Sequence, residues 1–552
     1  MQLVIPMSGF GERFRAAGYV IPKPLIQVEG KPIVGHVLDM FPNVENVYFV
    51  CNEDHLLEKS FAMESTLISL CPKGTVIPVH PHKLGPVHAA LQAIPHLDPD
   101  EPVIVNYADF SCRWDFGDFL QYVEAHDLDG AVPAYRGFHP HSGGTTNYAY
   151  IRELEGRLLE IREKQPFTST KTKEFASSGT YYFRTARIME QYFRAQVDCD
   201  ISVGGEYYAS SSFDLMARDG LSVGVYEIEH FMQWGTPQDL QEYEYWSKLF
   251  HTLKGHTADD LAIRGAENSG ILAAGQGSRF SNVGYQTPKA LLRISGAPLL
   301  KQISRASQNS PSVLALAGSS ISNWIKKREL GSLHEIDVPS NGQAHSAKQL
   351  ISGLSSDGSE AITILAADTI FADNSGSLAD TTSNSKLDYL VVWVGMPNPF
   401  TLSSPESFGW VGLSDGVCKS AIKQRPNFSG AMVLLGAFTF SSTTLFNRLY
   451  AHLEDSGILL NGESYLDSLV EIAVAKGITV ELFEPTLAIS LGTPYEFETF
   501  RYWQACFDRW DSHDYKLELD PFIEPKNVDD VRRELHSTKH RPEEWSWESH
   551  ES

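Results

Sequence analysis

Two short strings in this sequence place glycine, arginine and lysine at the same spacing. The first runs Ser8-Gly9-Phe10-Gly11-Glu12-Arg13-Phe14 and reaches Lys23 just after Pro22. The second runs Ala274-Gly275-Gln276-Gly277-Ser278-Arg279-Phe280 and reaches Lys289 just after Pro288. Glycines let the backbone turn sharply and approach a phosphate with no Cβ in the way. Successive backbone N–H groups then form an anion cradle. Arg13 and Arg279 can grip phosphate oxygens with a fork of donors, and Lys23 and Lys289 add a point charge. The chemistry indicated is phosphate binding. A dinucleotide site of the GxGxxG type is disfavoured: Phe14 and Phe280 stand where the third glycine belongs, and no suitably placed ribose-binding acid stands out.

The strings belong to an internal duplication. Residues 9–30 and 275–296 align without a gap, pairing Gly9 with Gly275, Arg13 with Arg279, Lys23 with Lys289 and Gly30 with Gly296. The far ends match too. Gly205 to Gly235 and Gly462 to Gly492 have equal spacing, and Tyr245-Trp246 falls on Tyr502-Trp503. Two homologous domains are expected, at 1–255 and 268–510, with a polar linker at 256–267 and a charged C-terminal tail at 511–552. The tail reads as a solvated extension; the alternative is a docking arm using Trp545 and Trp547.

The elements that must hold these loops are legible as short apolar runs, LVIPM, VYFVC and VIVNYAD in the first copy and GILAA, SVLALAG and ITILAAD in the second. Segments of helical length lie between or after them. The pattern predicts an α/β class with two tandem Rossmann-like domains and mostly parallel central sheets. One run in each copy ends in an aspartate, Asp109 and Asp368. A carboxylate at the end of a parallel strand sits where α/β folds bind ligands, and a hard cation there would bridge phosphate oxygens. Capping of the next helix is the competing role.

Composition sets the outer bounds. The 552 residues are 42% apolar and 21% charged, as in ordinary globular proteins. Lysine and arginine number 45 against 69 acids, a net charge of −24, which argues against a nucleic-acid partner but not against a small anion in a locally basic pocket. No apolar run is long enough for a membrane span, and the N-terminus reads as a strand rather than a signal peptide. Six scattered cysteines without a CxxC fit reduced thiols in a cytoplasmic protein.

The two loops, with PKPLIQVEGKP in the first copy, resemble the signature of sugar-phosphate nucleotidyltransferases, the nucleoside-diphosphate-sugar pyrophosphorylases. The resemblance covers both copies. It implies a GT-A-like fold and the reaction of an NTP with a small phosphorylated acceptor, a sugar 1-phosphate or a relative, with release of pyrophosphate. It implies catalytic roles for Arg13, Lys23 and Asp109, and for Arg279, Lys289 and Asp368. Nucleotide contacts would come from Ser8, Gly9, Phe10, Gly11 and Gly85, and from Ala274, Gly275, Gln276, Gly277 and Gly342. Asp109 and Asp368 would hold Mg²⁺. The family's acceptor-binding IxEKP element is matched by Glu163 and Lys164; in the second copy IKQRP puts Gln424 and Arg425 there. Gly179, Gly436, Glu206 and Glu463 complete the acceptor side.

The sequence departs from the family where a second metal-binding acid usually precedes GTP. Gln233 and Ser490 stand there, and Gln233 retains a carbonyl oxygen for Mg²⁺. NYADF, FHPH, EKQPFT and FMQWGTP resemble the nucleotidyltransferases of bacterial capsule and surface-polysaccharide loci. CTP or UTP is favoured as the NTP, and homo-oligomer formation is left open. His139 and His141 read as an acceptor-pocket loop or an exposed turn rather than a metal pair. Three readings compete: two active copies; one active copy with a regulatory nucleotide-binding second copy; and a GT-A glycosyltransferase, whose usual DxD motif is replaced by Asp109-Phe110-Ser111 and Asp368-Thr369-Ile370.

Overall fold

A strand buried on both faces reads as a continuous apolar run, because its alternate side chains enter two different cores. Gln2–Met7 behaves this way: Leu3, Ile5 and Met7 pack into one core of the computed structural model, and Val4 packs into the other. The structure describes residues 1–143, 148–354, 358–384, 388–414, 417–457, 459 and 462–537. Trp545 and Trp547 lie outside the described residues. Two compact units result. One comprises Met1–Glu244 with Arg509–His513, the other Tyr245–Asp508 with Asp514–His536.

In the first unit seven strands run in the spatial order Thr75–Val79, Asn46–Asn52, Gln2–Met7, Val103–Asn106, Thr180–Phe183, Gly130–Tyr135, Val223–Glu227. Arg157–Glu163, Ala149–Leu154 and Phe175–Ser177 extend the sheet. The second unit repeats the seven-strand order with Ser332–Ile336, Ser312–Leu316, Ser269–Leu272, Ile362–Ala366, Met432–Phe440, Tyr389–Gly395 and Thr479–Phe483. The hairpin Gly409–Ser414 and Val417–Ile422 joins it at Met432–Phe440.

Both sheets are mixed, and this corrects the expectation of mostly parallel sheets. The parallel part lies around the phosphate-loop strand, where Gln2–Met7 pairs with Asn46–Asn52 and Val103–Asn106. Thr180–Phe183 is antiparallel to both of its neighbours, as is Met432–Phe440 to Ile362–Ala366 and Tyr389–Gly395. Local turn chemistry contributes: Glu155 and Gly156, at φ 53° and 78°, form a two-residue turn, which can join only antiparallel strands.

A small ribbon in each unit positions the chemistry. Phe110–Arg113 pairs with His230–Gln233, and the Trp234 N–H donates to the Asp109 carbonyl at 2.9 Å. Thr369–Ala372 pairs with Leu487–Ser490, and the Leu491 N–H donates to the Asp368 carbonyl at 2.7 Å. The GTP segments are thereby fixed against the aspartates.

Residues 515–535 do not fit the solvated extension read from the charges of the tail. Tyr515, Leu517, Phe522 and Val531 are buried. Asp520, also buried, accepts from Tyr515 Oη at 2.8 Å and Gln504 Nε2 at 3.0 Å, and Arg532 donates twice to Asp508 at 2.9 and 3.1 Å. The interspersed apolar residues find a face to cover, so the charges end up paired. No described helix is long and apolar enough to cross a membrane.

Candidate active site

The phosphate loop of each unit leaves the sheet at a strand end and turns at a glycine. Gly11 and Gly277 adopt φ 63° and 61° and open the short helices Glu12–Ala16 and Ser278–Asn282. Phe14 and Phe280 anchor those helices: each is buried and meets Tyr19 or Tyr285 edge-on at 5.1 Å. Arg13 and Arg279, one residue earlier, are exposed. Ser8 is buried, and Gly9, Phe10, Ala274, Gly275 and Gln276 line the same turns.

The lysine of each PK pair reaches back to the strand-end aspartate. Lys23 Nζ lies 2.9 Å from Asp109 Oδ2, and Lys289 Nζ lies 3.2 Å from Asp368 Oδ2. All four side chains are partly exposed. Such pairs contribute roughly 0–1 kcal/mol to stability. Their value is positional, since they bring a cation and a carboxylate from distant segments to one point.

Gly85 and Gly342 sit at the tight point of the second loop. Their φ values are 86° and 100°, and an added Cβ would lie 2.7 Å from Tyr207 N or 2.3 Å from Ser464 O. Backbone bonds tie each glycine segment to the GEYY or GESY segment: Val87 N–H to Tyr207 O at 3.1 Å, and Ala344 N–H to Ser464 O at 3.0 Å. Only glycine fits both the conformation and the approach.

The residues of the first unit expected on the acceptor side come together. Lys164 Nζ donates to Tyr208 Oη at 2.7 Å, and the Tyr208 hydroxyl donates to Glu206. Ser210 Oγ donates to Glu163 Oε2 at 2.7 Å. Burial pushes the Glu163 carboxyl up from its ordinary value, with Ser210 and Lys164 opposing. Gly179 lies against Tyr107 and Phe110 at φ 97°, its N–H bonded to Ser177 Oγ and its carbonyl accepting from the Tyr107 N–H. In the second unit Gly436 adopts φ 69° next to Asp368, whereas Gln424, Arg425 and Glu463 are exposed. Lys423, not Arg425, holds the place after the strand end that Lys164 holds in the first unit.

Two carboxylates behind the aspartates escaped sequence reasoning. Asp239 Oδ2 accepts from the Thr236 N–H at 2.9 Å and from Gln233 Nε2 at 2.8 Å. Glu496 Oε2 accepts from the Thr493 N–H and hydroxyl, both at 2.9 Å. Burial raises the pKa of each, and Asp109 or Asp368 raises it further. The capping-box spacing, T-x-x-D and T-x-x-E, is the signal that points to them. Because Asp239 holds the amide nitrogen of Gln233, the amide oxygen is turned the other way. That Oε1 is buried with no hydrogen-bond partner among the described residues. A buried amide oxygen without a partner is a ligand atom of the kind a hard divalent cation takes. Ser490 offers only a hydroxyl.

His139 and His141 do not form an exposed turn. His139 is buried, its Nε2 bonds the Phe231 carbonyl at 2.6 Å, and burial pushes its pKa down to about 3. His141 Nε2 meets Tyr135 Oη at 2.8 Å. Aromatic packing absorbs both rings.

A duplicated α/β domain with a glycine-arginine loop and a lysine–aspartate pair in each copy defines a class to which known families can be compared. The chain belongs to the MobA-like NTP transferase domain family, whose profile matches residues 3–171 and 270–407, more than half of the sequence. Among curated relatives, the bifunctional protein GlmU of Alkaliphilus metalliredigens is 25% identical over 232 residues, covering 42% of this chain and 48% of that protein. The mannose-1-phosphate guanylyltransferase catalytic subunit beta of Danio rerio is 28% identical over 254 residues, covering 44% of this chain and 62% of that protein. The chain spans about half the length of the first of these relatives. A nucleoside-diphosphate-sugar pyrophosphorylase from Vibrio cholerae is 19% identical with a TM-score of 0.37, covering 44% of this chain and 99% of that one.

Proposed function

We propose that the first unit transfers the nucleoside monophosphate of an NTP to a small phosphorylated acceptor, releasing pyrophosphate. The observation that carries this reading is the Lys23–Asp109 pair at the mouth of the glycine-arginine loop, repeated as Lys289–Asp368. The loop at Ser8–Gly11 and Arg13 hold the triphosphate. Gly85 and its loop receive the nucleoside, while Lys164, Glu163 and Glu206 hold the acceptor, with Gly179 giving it backbone access. The acceptor phosphate attacks the α-phosphorus in line, a P–O bond forms, the bond to the β-phosphate oxygen breaks, and pyrophosphate leaves. The attacking phosphate is already ionised near neutral pH, so no protein base is required. Catalysis is positioning and charge stabilisation. Asp109 and the orphaned Gln233 Oε1 would hold Mg²⁺, which supplies charge neutralisation on the phosphates when bound.

CTP or UTP is the favoured donor, a sugar 1-phosphate or related small phosphate the acceptor, and a surface-polysaccharide precursor made in the cytoplasm the product. Family membership supports nucleotidyl transfer over glycosyl transfer. Pyrophosphate release tests the reading. CTP, UTP, GTP, ATP and dTTP are each paired with a panel of sugar 1-phosphates and non-sugar phosphates, and Arg13→Ala and Arg279→Ala proteins run alongside. Release that disappears in Arg13→Ala is expected. Unchanged turnover in that variant would overturn the assignment of the loop, and release lost in both variants separately would mean two active units.

A further inference from the structure

In the first unit the loop around Gly85 is fastened to the glycine-arginine loop at two places. His82 Nδ1 accepts from the Leu84 N–H at 3.2 Å, so the neutral ring carries its proton on Nε2. That Nε2 lies 3.4 Å from Ser8 Oγ and donates to it. Burial and the His88 ring, 4.6 Å away, push the His82 pKa down and keep the ring neutral. Ser8 is itself fixed, since Asn52 Nδ2 donates to its carbonyl at 3.3 Å. One residue on from His82, Lys83 Nζ meets Glu12 Oε1 at 2.6 Å and lies 5.8 Å from the centre of the Phe10 ring.

The second unit has none of these side chains. Ser8, Phe10 and Glu12 correspond to Ala274, Gln276 and Ser278, and His82 and Lys83 correspond to Pro339 and Ser340. Ala274 and Pro339 have no hydrogen-bonding group in their side chains, and Gln276, Ser278 and Ser340 carry no charge. Its loop is tied to itself instead: Ser340 Oγ meets Ser346 Oγ, and Ser346 Oγ donates to the Gly342 carbonyl at 3.1 Å. The glycine of the loop keeps its surroundings, with Gly85 against Tyr207 and Gly342 against Ser464. The five positions on two separate segments that join the loops of the first unit therefore all differ in the second. Lys83 and Glu12 are exposed, so water screens their attraction. The contact of half-buried His82 with buried Ser8 carries more of the fastening.

We propose that His82 is a positioning residue for the donor nucleotide: through Ser8 it couples the loop that receives the nucleoside to the loop that holds the triphosphate, with Lys83 and Glu12 as a weaker second tie. The proposal rests on the nucleotidyltransferase reading in one respect, that a single nucleotide spans both loops. A ligand that bridges two loops binds more tightly when their separation is set beforehand, because less loop motion is arrested on binding. The 3.4 Å contact is long for a hydrogen bond, and a nucleotide that draws the loops together shortens it.

Two variants of the full-length protein sever the tie. Ser8→Ala gives the first unit the alanine of the second. His82→Asn removes the reach to Ser8, while the new amide oxygen still accepts from the Leu84 N–H in an Asx turn. Without nucleotide, the ring-nitrogen chemical shifts of His82, identified by their loss in His82→Asn, are expected to show a neutral ring protonated on Nε2 near neutral pH. Amide exchange in the Ser8–Phe14 segment is expected to quicken roughly 3–10-fold in either variant. In pyrophosphate release, with the NTP and acceptor that the panel selects, each variant should raise the KM for the NTP roughly 3–10-fold and leave the KM for the acceptor in place. The double variant should raise it no further, since both changes remove one contact. His82→Gln, whose amide nitrogen reaches the position of Nε2, should recover most of the loss. A His82 ring that is charged or protonated on Nδ1, loop exchange unchanged in both variants, or additive losses in the double variant would overturn the proposal. Absence of pyrophosphate release from the unaltered protein would count against the transferase reading, and the ring and exchange measurements, made without nucleotide, then decide this one separately.

Discussion

The two units share a strand order, a phosphate loop and a lysine–aspartate pair, yet they diverge at the acceptor corner and at the residue before GTP. The first unit sets Glu163 against Ser210 and places an amide, Gln233, beside its strand-end aspartate. The second has Ile422 and Asp467 at the corresponding positions and pairs Ser490 with Thr369, the residue after Asp368. The sheet is what the duplication preserves, because any change there disturbs two cores at once. The corners face solvent or ligand, where one side chain can be exchanged for another provided the local charge count is kept.

The sharpest way to break this comparison is to remove the phosphate-loop arginines one at a time. Arg13→Ala is expected to lower the first unit's turnover by about 10²–10³-fold, or about 3–4 kcal/mol of barrier, while Arg279→Ala leaves that activity in place. Steady-state pyrophosphate release measures both.

Next in size is the glycine of the second loop. Gly342→Ala forces a Cβ to within 2.3 Å of Ser464 O at φ 100°, and Gly85→Ala forces one to within 2.7 Å of Tyr207 N at φ 86°. Each should destabilise its own unit by about 2–3 kcal/mol, the former more than the latter. Denaturant unfolding followed by limited proteolysis would separate the units; equal, negligible shifts would show that the loops relax freely.

Asp467 gives a pH-dependent signature that Ser210 cannot. Burial pushes its pKa from 3.8 up to about 6 in the folded protein. A group with a raised folded pKa contributes stability that is full below its unfolded pKa and is lost as pH rises through the folded one. The second unit should therefore lose stability between about pH 4 and pH 6. Asp467→Asn should be more stable than the parent by about 2–3 kcal/mol at pH 7.5, with the gap closing by pH 4. A gap independent of pH would place the Asp467 carboxyl in an ordinary environment.

The smallest expected effect concerns Asp239, a positioning residue. Asp239→Asn can turn its own amide toward Gln233 and release the orientation of the Gln233 oxygen. The Mg²⁺ concentration for half-maximal pyrophosphate release should rise ~10-fold, with little change in the rate at saturating Mg²⁺. A change in the saturated rate alone would assign Asp239 a different part.

Much of the site was legible in the residues because its chemistry is local. A glycine turn, an arginine two residues later and a lysine after proline form a short string, and its repetition removes chance as an explanation. The strand-end aspartates were legible from the apolar runs that precede them. The parallel character of the sheet was overread, since apolar runs do not reveal strand direction. The two-residue Glu155-Gly156 turn would have signalled antiparallel pairing. Tail charge likewise hid the apolar residues Tyr515, Leu517 and Phe522 that bury themselves in the second unit.

The sequence by itself determined the duplication, the glycine-arginine loops and the family, since these depend on residue types at fixed short spacing. Only the tertiary structure decided which groups meet across long separations. It left the Gln233 oxygen buried and unpaired by tying the nitrogen to Asp239, and it put Lys423 rather than Arg425 after the strand end. Linear alignment matches neighbours along the chain. A site is built from residues on different segments, which no pairing of neighbours along the chain reveals.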